Sequence, residues 1–273
     1  VENELKLVDV QETLLLPLWG RAVETQKEKP LLMDEMASNI IKSIQYDFNR
    51  IAQNTHKLSR LSWIARSLFF DEKIKKFAAA HSEVLIINIG CGLDTTFERI
   101  DNGSLLWYDL DLPDVIELRK KFIPESSRRK FIPCSALDFS WMKDVPDNKN
   151  TMIMIAGVLY YFTEEDVKKL FSEIKKHFGN AEAIFDYSSP KGIEIANKKV
   201  IESSGMDKSA YLKWGIKDIS EIEKWGAGIK IIKSMPMFNE IKKEFPIYKR
   251  LGLFISDKLR IMSLAHIRIG HME

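Results

Sequence analysis

The sequence has few of the residues that build metal centres or disulfide frameworks. Its two cysteines, Cys91 and Cys134, lie in separate segments, and its five histidines are scattered without metal-ligand spacing. No metal is expected, and lone cysteines fit a reducing cytoplasm. An excess of charge is also missing: 41 Lys and Arg face 39 Asp and Glu, a formal net charge of +2. So balanced a chain is not expected to have nucleic acid as its partner. Long hydrophobic runs are absent too. The longest uncharged apolar stretch, Thr151 to Thr163, falls short of the roughly 20 apolar residues that a membrane-spanning helix needs. No membrane partner is expected, and the opening Val1-Glu2-Asn3-Glu4 lacks the basic-then-apolar pattern of a secretory signal, so the expected location is cytoplasmic. Internal repeats and low-complexity linkers are not seen either.

What is present is a core. With 45% hydrophobic and 29% charged residues, 273 residues can bury one large domain with decorations. Met33, Met36, Ala37, Ile40, Ile41, Ile44 and Phe48 recur at helical spacing behind Pro30, which predicts an amphipathic helix over Met33 to Phe48. A second helical stretch from His56 to about Ala80 completes an N-terminal helical region over residues 1–80. It runs into Val84 to Ile89, a short β-branched run ended by glycine that predicts a fully buried strand. Further strands are predicted at Leu105 to Leu110, Lys130 to Cys134, Thr151 to Ala156, Ala183 to Tyr187, Ile229 to Ser234 and Arg260 to Ile269. Helices fall between them at Pro113 to Phe122 and behind Thr163, whose Asp166 three residues on makes a capping signal. Alternating strands and helices imply right-handed crossovers, a doubly wound and mostly parallel α/β sheet of seven strands, and a ligand site at the strands' carboxyl ends. Residues 188–226, punctuated by Gly192, Gly205 and Gly215, are longer than one crossover needs and read as an inserted helical cap.

The loops after the strands hold the informative residues. Asn88-Ile89-Gly90-Cys91-Gly92-Leu93-Asp94-Thr95 is a glycine turn directly after the first buried strand, where backbone must come close to a ligand. About twenty residues on, the second strand ends in Asp109-Leu110-Asp111, the distance at which an acid meets ribose hydroxyls. Both aspartates are read as ligand contacts, while Asp114 reads as a first-turn helix acid. The nicotinamide fingerprint has a third glycine where Thr95 stands, so a dehydrogenase fits less well than an S-adenosylmethionine site. After the third strand, Asp138 stands beside apolar and aromatic side chains and either holds an adenine or caps a short helix. Tyr160, Tyr161 and Phe162 follow the fourth strand at the mouth of the expected site. Trp214 and Trp225 read as packing residues, and Lys73, Lys75 and Lys76 as a solvated face.

Four segments together carry a family resemblance: Trp19-Gly20-Arg21-Ala22, the run Ile87 to Arg99 with its Gly-Leu-Asp-Thr-Thr-Phe core, Tyr108 to Pro113, and Ile155 to Thr163. Over nearly its whole length the sequence resembles the leucine carboxyl methyltransferase family, in the bacterial branch similar to tetracenomycin-type polyketide O-methyltransferases. The resemblance implies a Rossmann-like class I methyltransferase using S-adenosylmethionine. Gly90, with Gly92, would lie at the methionine part, Asp111 at the ribose, and Ala136, Leu137 and Asp138 at the adenine. Arg66 would hold the cofactor carboxylate, with Arg21 as a second basic residue. Where several relatives carry an acid before the Val-Leu pair, this sequence has Ala156 and Gly157, so a cofactor contact there would come from backbone or from elsewhere.

The expected activity is methyl transfer to an oxygen of a small acceptor, a carboxylic acid or a phenol. Rival readings are an NAD-dependent oxidoreductase and a non-catalytic S-adenosylmethionine-binding protein. No residue is singled out as a catalytic base.

Overall fold

The computed structural model describes residues 9–146, 150–198 and 211–270. Helices α1 (Asp9–Thr25), α2 (Glu35–Ser43), α3 (Phe48–Asn54) and α4 (Lys57–Ala80) precede an alternation of strands and helices. These are β1 (Leu85–Ile89), α5 (Thr96–Ile100), β2 (Leu106–Asp111), α6 (Pro113–Lys120), β3 (Arg129–Pro133) and β4 (Thr151–Ile155). They are followed by α7 (Glu164–Phe178), β5 (Ala181–Ser188), α8 (Pro190–Ala196), β6 (Lys230–Pro236), α9 (Ile247–Lys258) and β7 (Met262–Ile269). The seven strands form one sheet in the order β3-β2-β1-β4-β5-β7-β6. It is parallel except for β7, which runs antiparallel to both β5 and β6.

The mostly apolar, wholly buried runs of β1 and β4 are explained by cover on both faces. Leu85, Ile87 and Ile89 of β1 point into a core beneath α7, with Phe171, Ile174 and Trp141, while Ile86 points the other way into a core with Phe69, Phe70 and Ile74 of α4. In β4, Ile153 and Ile155 go to the first core and Met152 and Met154 to the second, the two-residue period of a strand. Because β1 pairs with β2 on one side and β4 on the other, the strand order reverses there. That reversal opens a crevice at the carboxyl ends of β1 and β4.

Local signals set several boundaries. The Thr163 hydroxyl accepts from Asp166 N while the Asp166 carboxylate accepts from Thr163 N, a complete capping box at the start of α7. The helix expected over Met33 to Phe48 is shorter. Asp34 caps α2 by accepting from Ala37 N at 2.9 Å, Ile44 is extended, and Phe48 begins α3. Trp214 and Trp225 pack together with ring centroids 6.1 Å apart, as expected of packing residues. Lys73 does not belong to the solvated face expected of it: it is buried, paired with Glu72 and set over the Phe69 ring.

In the segment read as a helical cap, the described residues hold α8, a stretch from 211 to 217 without regular structure, and a 3-10 turn at Ile219–Lys224. Gly205 lies outside the described residues. Helices α1 and α9 have no counterpart among the helices read individually from periodicity. Among the described residues, no helix is long and apolar enough to cross a membrane.

Candidate active site

The crevice begins with the glycine turn. Gly90 N and Cys91 N both donate to Leu110 O, at 2.8 and 3.1 Å, which pins the turn to the end of β2. Gly90 has φ +67°, and a Cβ there would lie 2.3 Å from Val158 Cγ2. Only glycine fits a backbone so placed against the loop after β4.

Asp111, the last residue of β2, straps the turn from below. Its Oδ2 accepts from Gly92 N at 2.7 Å and its Oδ1 from Leu112 N at 2.8 Å. Burial pushes its carboxyl above the usual carboxylate range, with the two N–H donors working against that shift. A carboxylate can accept about four hydrogen bonds, so both oxygens keep capacity for a ligand. The end of β3 joins the same cluster, because Cys134 N donates to Asp111 O at 2.9 Å. Just beyond, Leu137 is half-buried, and the exposed Asp138 caps a 3-10 turn (Phe139–Asp144) by accepting from Ser140 N at 3.1 Å. Hydrogen bonds from Ser140 hold the Asp138 carboxyl below its ordinary value.

Asp109 does not share the role read for it beside Asp111. It is fully buried two residues before the strand end. Its Oδ1 accepts from Asn88 Nδ2 and Trp107 Nε1, both at 2.9 Å, and its Oδ2 accepts from Arg119 Nη2 at 3.0 Å and Arg129 Nε at 2.7 Å. Four donors use its acceptor capacity inside the protein. Asp109 is therefore a structural anion, neutralising two buried arginines that pattern reading did not single out.

On the other side of the crevice, Arg66 reaches in from α4. Its Nη1 donates to Asp186 Oδ2 at 2.9 Å, and Asp186 Oδ1 accepts from Gly157 N at 2.6 Å. Gly157 has φ +77°, and a Cβ there would lie 2.7 Å from Arg66 Nη1 and 3.1 Å from the Tyr160 hydroxyl. Burial works against the guanidinium charge, but Asp186 and the Tyr160 hydroxyl outweigh it and hold Arg66 protonated. Burial pushes the Tyr160 phenol well above its ordinary value. Asp186 is fully buried and lies 120 residues from Arg66, so no local pattern could have found it. It stands one strand away from Ala156, the position without an acid.

Arg21 lies beside the glycine turn, but its bonds run mostly elsewhere. Nε donates to Asp34 Oδ2 at 2.8 Å, and Nη2 reaches Leu93 O at 3.4 Å and Thr95 Oγ1 at 3.3 Å. Asp34 also accepts from Thr95 Oγ1 at 2.6 Å and Arg99 Nη1 at 2.8 Å, and Arg99 forks onto Asp71. This network explains why threonine, rather than a third glycine, stands at position 95. Burial alone would raise the Asp34 carboxyl, yet Arg21 and Arg99 hold it below its ordinary value.

Gly90, Gly92, Asp111, Leu137 and Asp138 thus lie in the loops after β1, β2 and β3, with Ala156 in the loop after β4, Arg66 reaching that loop from α4, and Val158 against the glycine turn. Among the described residues, no group of His, Cys, Asp or Glu could hold a metal ion. A sheet of this strand order, with a reversed β7, a glycine turn after β1 and an acid ending β2, defines the class I methyltransferase architecture.

Comparison with known proteins gives the family. Residues 15–175 match the model of the leucine carboxyl methyltransferase family, and the chain belongs to it. The tetracenomycin polyketide synthesis O-methyltransferase TcmP of Streptomyces glaucescens is 29% identical over 271 residues, covering 98% of this chain and 96% of that protein. The S-adenosyl-L-methionine-dependent methyltransferase dpfgK of Gibberella zeae is 25% identical, covering 92% of this chain and 88% of that one. Among solved structures, a DUF574 family protein from Streptomyces avermitilis shares the fold with a TM-score of 0.59 at 10% identity, over 95% of this chain and 97% of that one.

Proposed function

We propose that the protein transfers the methyl group of S-adenosylmethionine to an oxygen of a small acceptor, a carboxylate or a hydroxyl. The observation that carries this reading is the gathering of the Gly90–Gly92 turn, Asp111 and the Arg66 guanidinium around one crevice, in a chain of this family. The residues fit the cofactor. The positive φ of Gly90 and Gly92 lets the backbone turn tightly at the end of β1, where it would face the methionine part, and the spare acceptor capacity of Asp111 suits two ribose hydroxyls. The Arg66 Nη1 bond to Asp186 leaves other N–H groups of its planar fork for a carboxylate. Leu137 and Asp138 would flank the adenine, Ala156 would contribute backbone, and Arg21 would add positive charge behind the turn. No acid stands at position 156, so the cofactor's ammonium would meet backbone oxygen there and feel the Asp186 carboxylate from the next strand.

When bound, S-adenosylmethionine supplies an electrophilic methyl on sulfonium. The protein's own part is then to bind, to align the acceptor in line with that methyl and to exclude water, with Tyr160 and Tyr161 at the mouth. A carboxylate acceptor is ionised at neutral pH and needs no base, whereas a phenol, with a pKa near 10, is helped by one. None of the described histidines is bonded to a crevice residue. His56 caps the start of α4 and His81 its end, His177 lies in the last turn of α7, and His266 is bonded to Glu182 at 2.6 Å. His271 lies outside the described residues. This placement favours a carboxylic acid.

The test is incubation with methyl-labelled S-adenosylmethionine and a panel of aromatic acids and phenols, followed by mild alkali. Labelled, alkali-labile product supports a carboxyl acceptor. An alkali-stable ether formed at a rate that needs one deprotonated group near pH 7 sinks the carboxylate assignment. Calorimetry showing tight NAD binding and no S-adenosylmethionine binding removes the methyltransferase reading itself.

A further inference from the structure

Helix α9, between β6 and β7, sits on the protein the wrong way round for an amphipathic helix. The face turned inward carries Leu253, Asp257 and Arg250. Leu253 is buried, Asp257 accepts from Phe238 N at 3.0 Å and Lys242 Nζ at 3.2 Å, and Arg250 donates to Phe245 O at 2.7 Å and Lys243 O at 2.9 Å. The outward face is apolar. Ile247 is 81% exposed, Leu251 64%, Phe254 54% and Ile255 49%, with Tyr248 and Leu259 beside them. At about 100° per residue these six side chains span an arc of roughly 140° opposite the anchored face, interrupted at its carboxyl end by the exposed Lys258. They are six of the ten exposed large hydrophobic side chains among the described residues, so the arc is a patch rather than scatter.

The surrounding charge indicates what covers it. Residues 241–260 carry six basic residues (Lys242, Lys243, Lys249, Arg250, Lys258, Arg260) against two acidic ones (Glu244, Asp257), a net of +4, whereas the whole chain has +2. The rest of the protein is therefore slightly acidic, so this segment carries a local excess of positive charge, of which Lys242 and Arg250 are bonded on the anchored side of α9. A second copy docked face to face would set two such basic segments against each other. The headgroup region of an anionic bilayer offers negative charge for Lys243, Lys258 and Arg260, which are exposed at the two ends of the helix, and an apolar layer beneath for Leu251 and Phe254.

We propose that α9 docks the protein on an anionic lipid surface, lying in the interface with its apolar arc inserted. The expectation of no membrane contact rested on the lack of a spanning-length run, and a helix lying in the interface needs none. The placement suits methyl transfer to a lipophilic acceptor. Ile261, just past α9, accepts from Ser188 Oγ at 2.6 Å at the end of β5, two residues beyond Asp186, so the carboxyl end of α9 lies at the crevice end of the sheet.

Flotation with vesicles tests the proposal on the whole protein. Vesicles of phosphatidylcholine with about 30% phosphatidylglycerol are compared with pure phosphatidylcholine, at low salt and at about 0.5 M NaCl. The parent should float with the anionic vesicles, at least tenfold less with the neutral ones, and less in high salt. Leu251→Ser/Phe254→Ser should lose flotation at least tenfold while keeping the parent's melting temperature and S-adenosylmethionine affinity. Lys243→Glu/Lys258→Glu, which keeps all six apolar side chains, should lose the preference for anionic lipid. Absence of flotation, or equal flotation of both variants and parent, overturns the proposal. So does a concentration-dependent dimer in analytical ultracentrifugation that Leu251→Ser/Phe254→Ser abolishes, since a second copy would then be the occupant. Cofactor binding is measured separately, so loss of docking is distinguishable from failure of the methyltransferase reading.

Discussion

Substituting Asp109 by asparagine, beside Asp111 by alanine, separates a structural anion from a candidate ligand two residues along the same strand. Asp109 receives two donors on each oxygen: Asn88 and Trp107 on Oδ1, Arg119 and Arg129 on Oδ2. Asparagine has nearly the same shape but only one acceptor oxygen, so whichever way its amide turns, an NH2 group faces two donors. The charge is lost as well. Arg129 keeps Glu98 as a partner, whereas Arg119, fully buried, keeps only the Gly92 carbonyl at 2.8 Å. Removing one partner of a buried ion pair costs about 3–5 kcal/mol. At roughly 2 °C per kcal/mol for a chain of this size, the melting temperature should fall by roughly 6–10 °C. Asp111→Ala gives up the bonds from Gly92 N and Leu112 N, so it should melt somewhat below the parent but above Asp109→Asn, and bind S-adenosylmethionine roughly 10- to 150-fold more weakly, the equivalent of about 1.5–3 kcal/mol for charge-assisted hydrogen bonds. Differential scanning fluorimetry and calorimetry read the two quantities separately. An Asp109→Asn protein melting within about 1 °C of the parent would refute the buried-pair reasoning. Unchanged cofactor affinity in Asp111→Ala would move the ribose contact elsewhere.

Arg66→Lys should bind S-adenosylmethionine more weakly than the parent and more tightly than Arg66→Ala, because an ammonium keeps charge but not the two-pronged fork; equal affinity in all three would leave Arg66 a structural partner of Asp186. The Asp34 carboxyl is lowered in the folded state, so its contribution to stability is complete above the unfolded value of about 3.9 and is lost as pH falls through the lower folded value. Melting curves of the parent should therefore drop on acidification below about pH 4, and those of Asp34→Asn, already less stable at neutral pH, should drop less; parallel acid limbs would contradict this. Thr163→Ala removes the capping box of α7 and should cost about 1 kcal/mol in urea unfolding without changing cofactor affinity, and a neutral result would mean that tertiary packing alone sets that helix start.

Much of the fold was legible in the chain because its determinants are local. The runs Leu85 to Ile89 and Thr151 to Ile155 are buried at every position and apolar at all but Asn88 and Thr151 because helices cover both faces of the sheet, and a short run of that kind reads as a buried strand. The glycine turn, the acid about twenty residues on and the Thr163–Asp166 cap are likewise contained within a few residues, and family resemblance extended them to a cofactor. Tertiary structure alone decided which ionisable groups are free to act. Asp109 and Asp111 are the same residue type on the same face of β2, and what distinguishes them is cover: Arg119 from α6 and Arg129 from β3 close over the first, while the second stands at the strand end. The partnership of Arg66 with Asp186, the commitment of Arg21 to Asp34 and the outward apolar face of α9 are of the same kind. Periodicity tells which side of an element is apolar, but the partner across a gap of 120 residues, and the side that faces the protein, follow from how the elements pack.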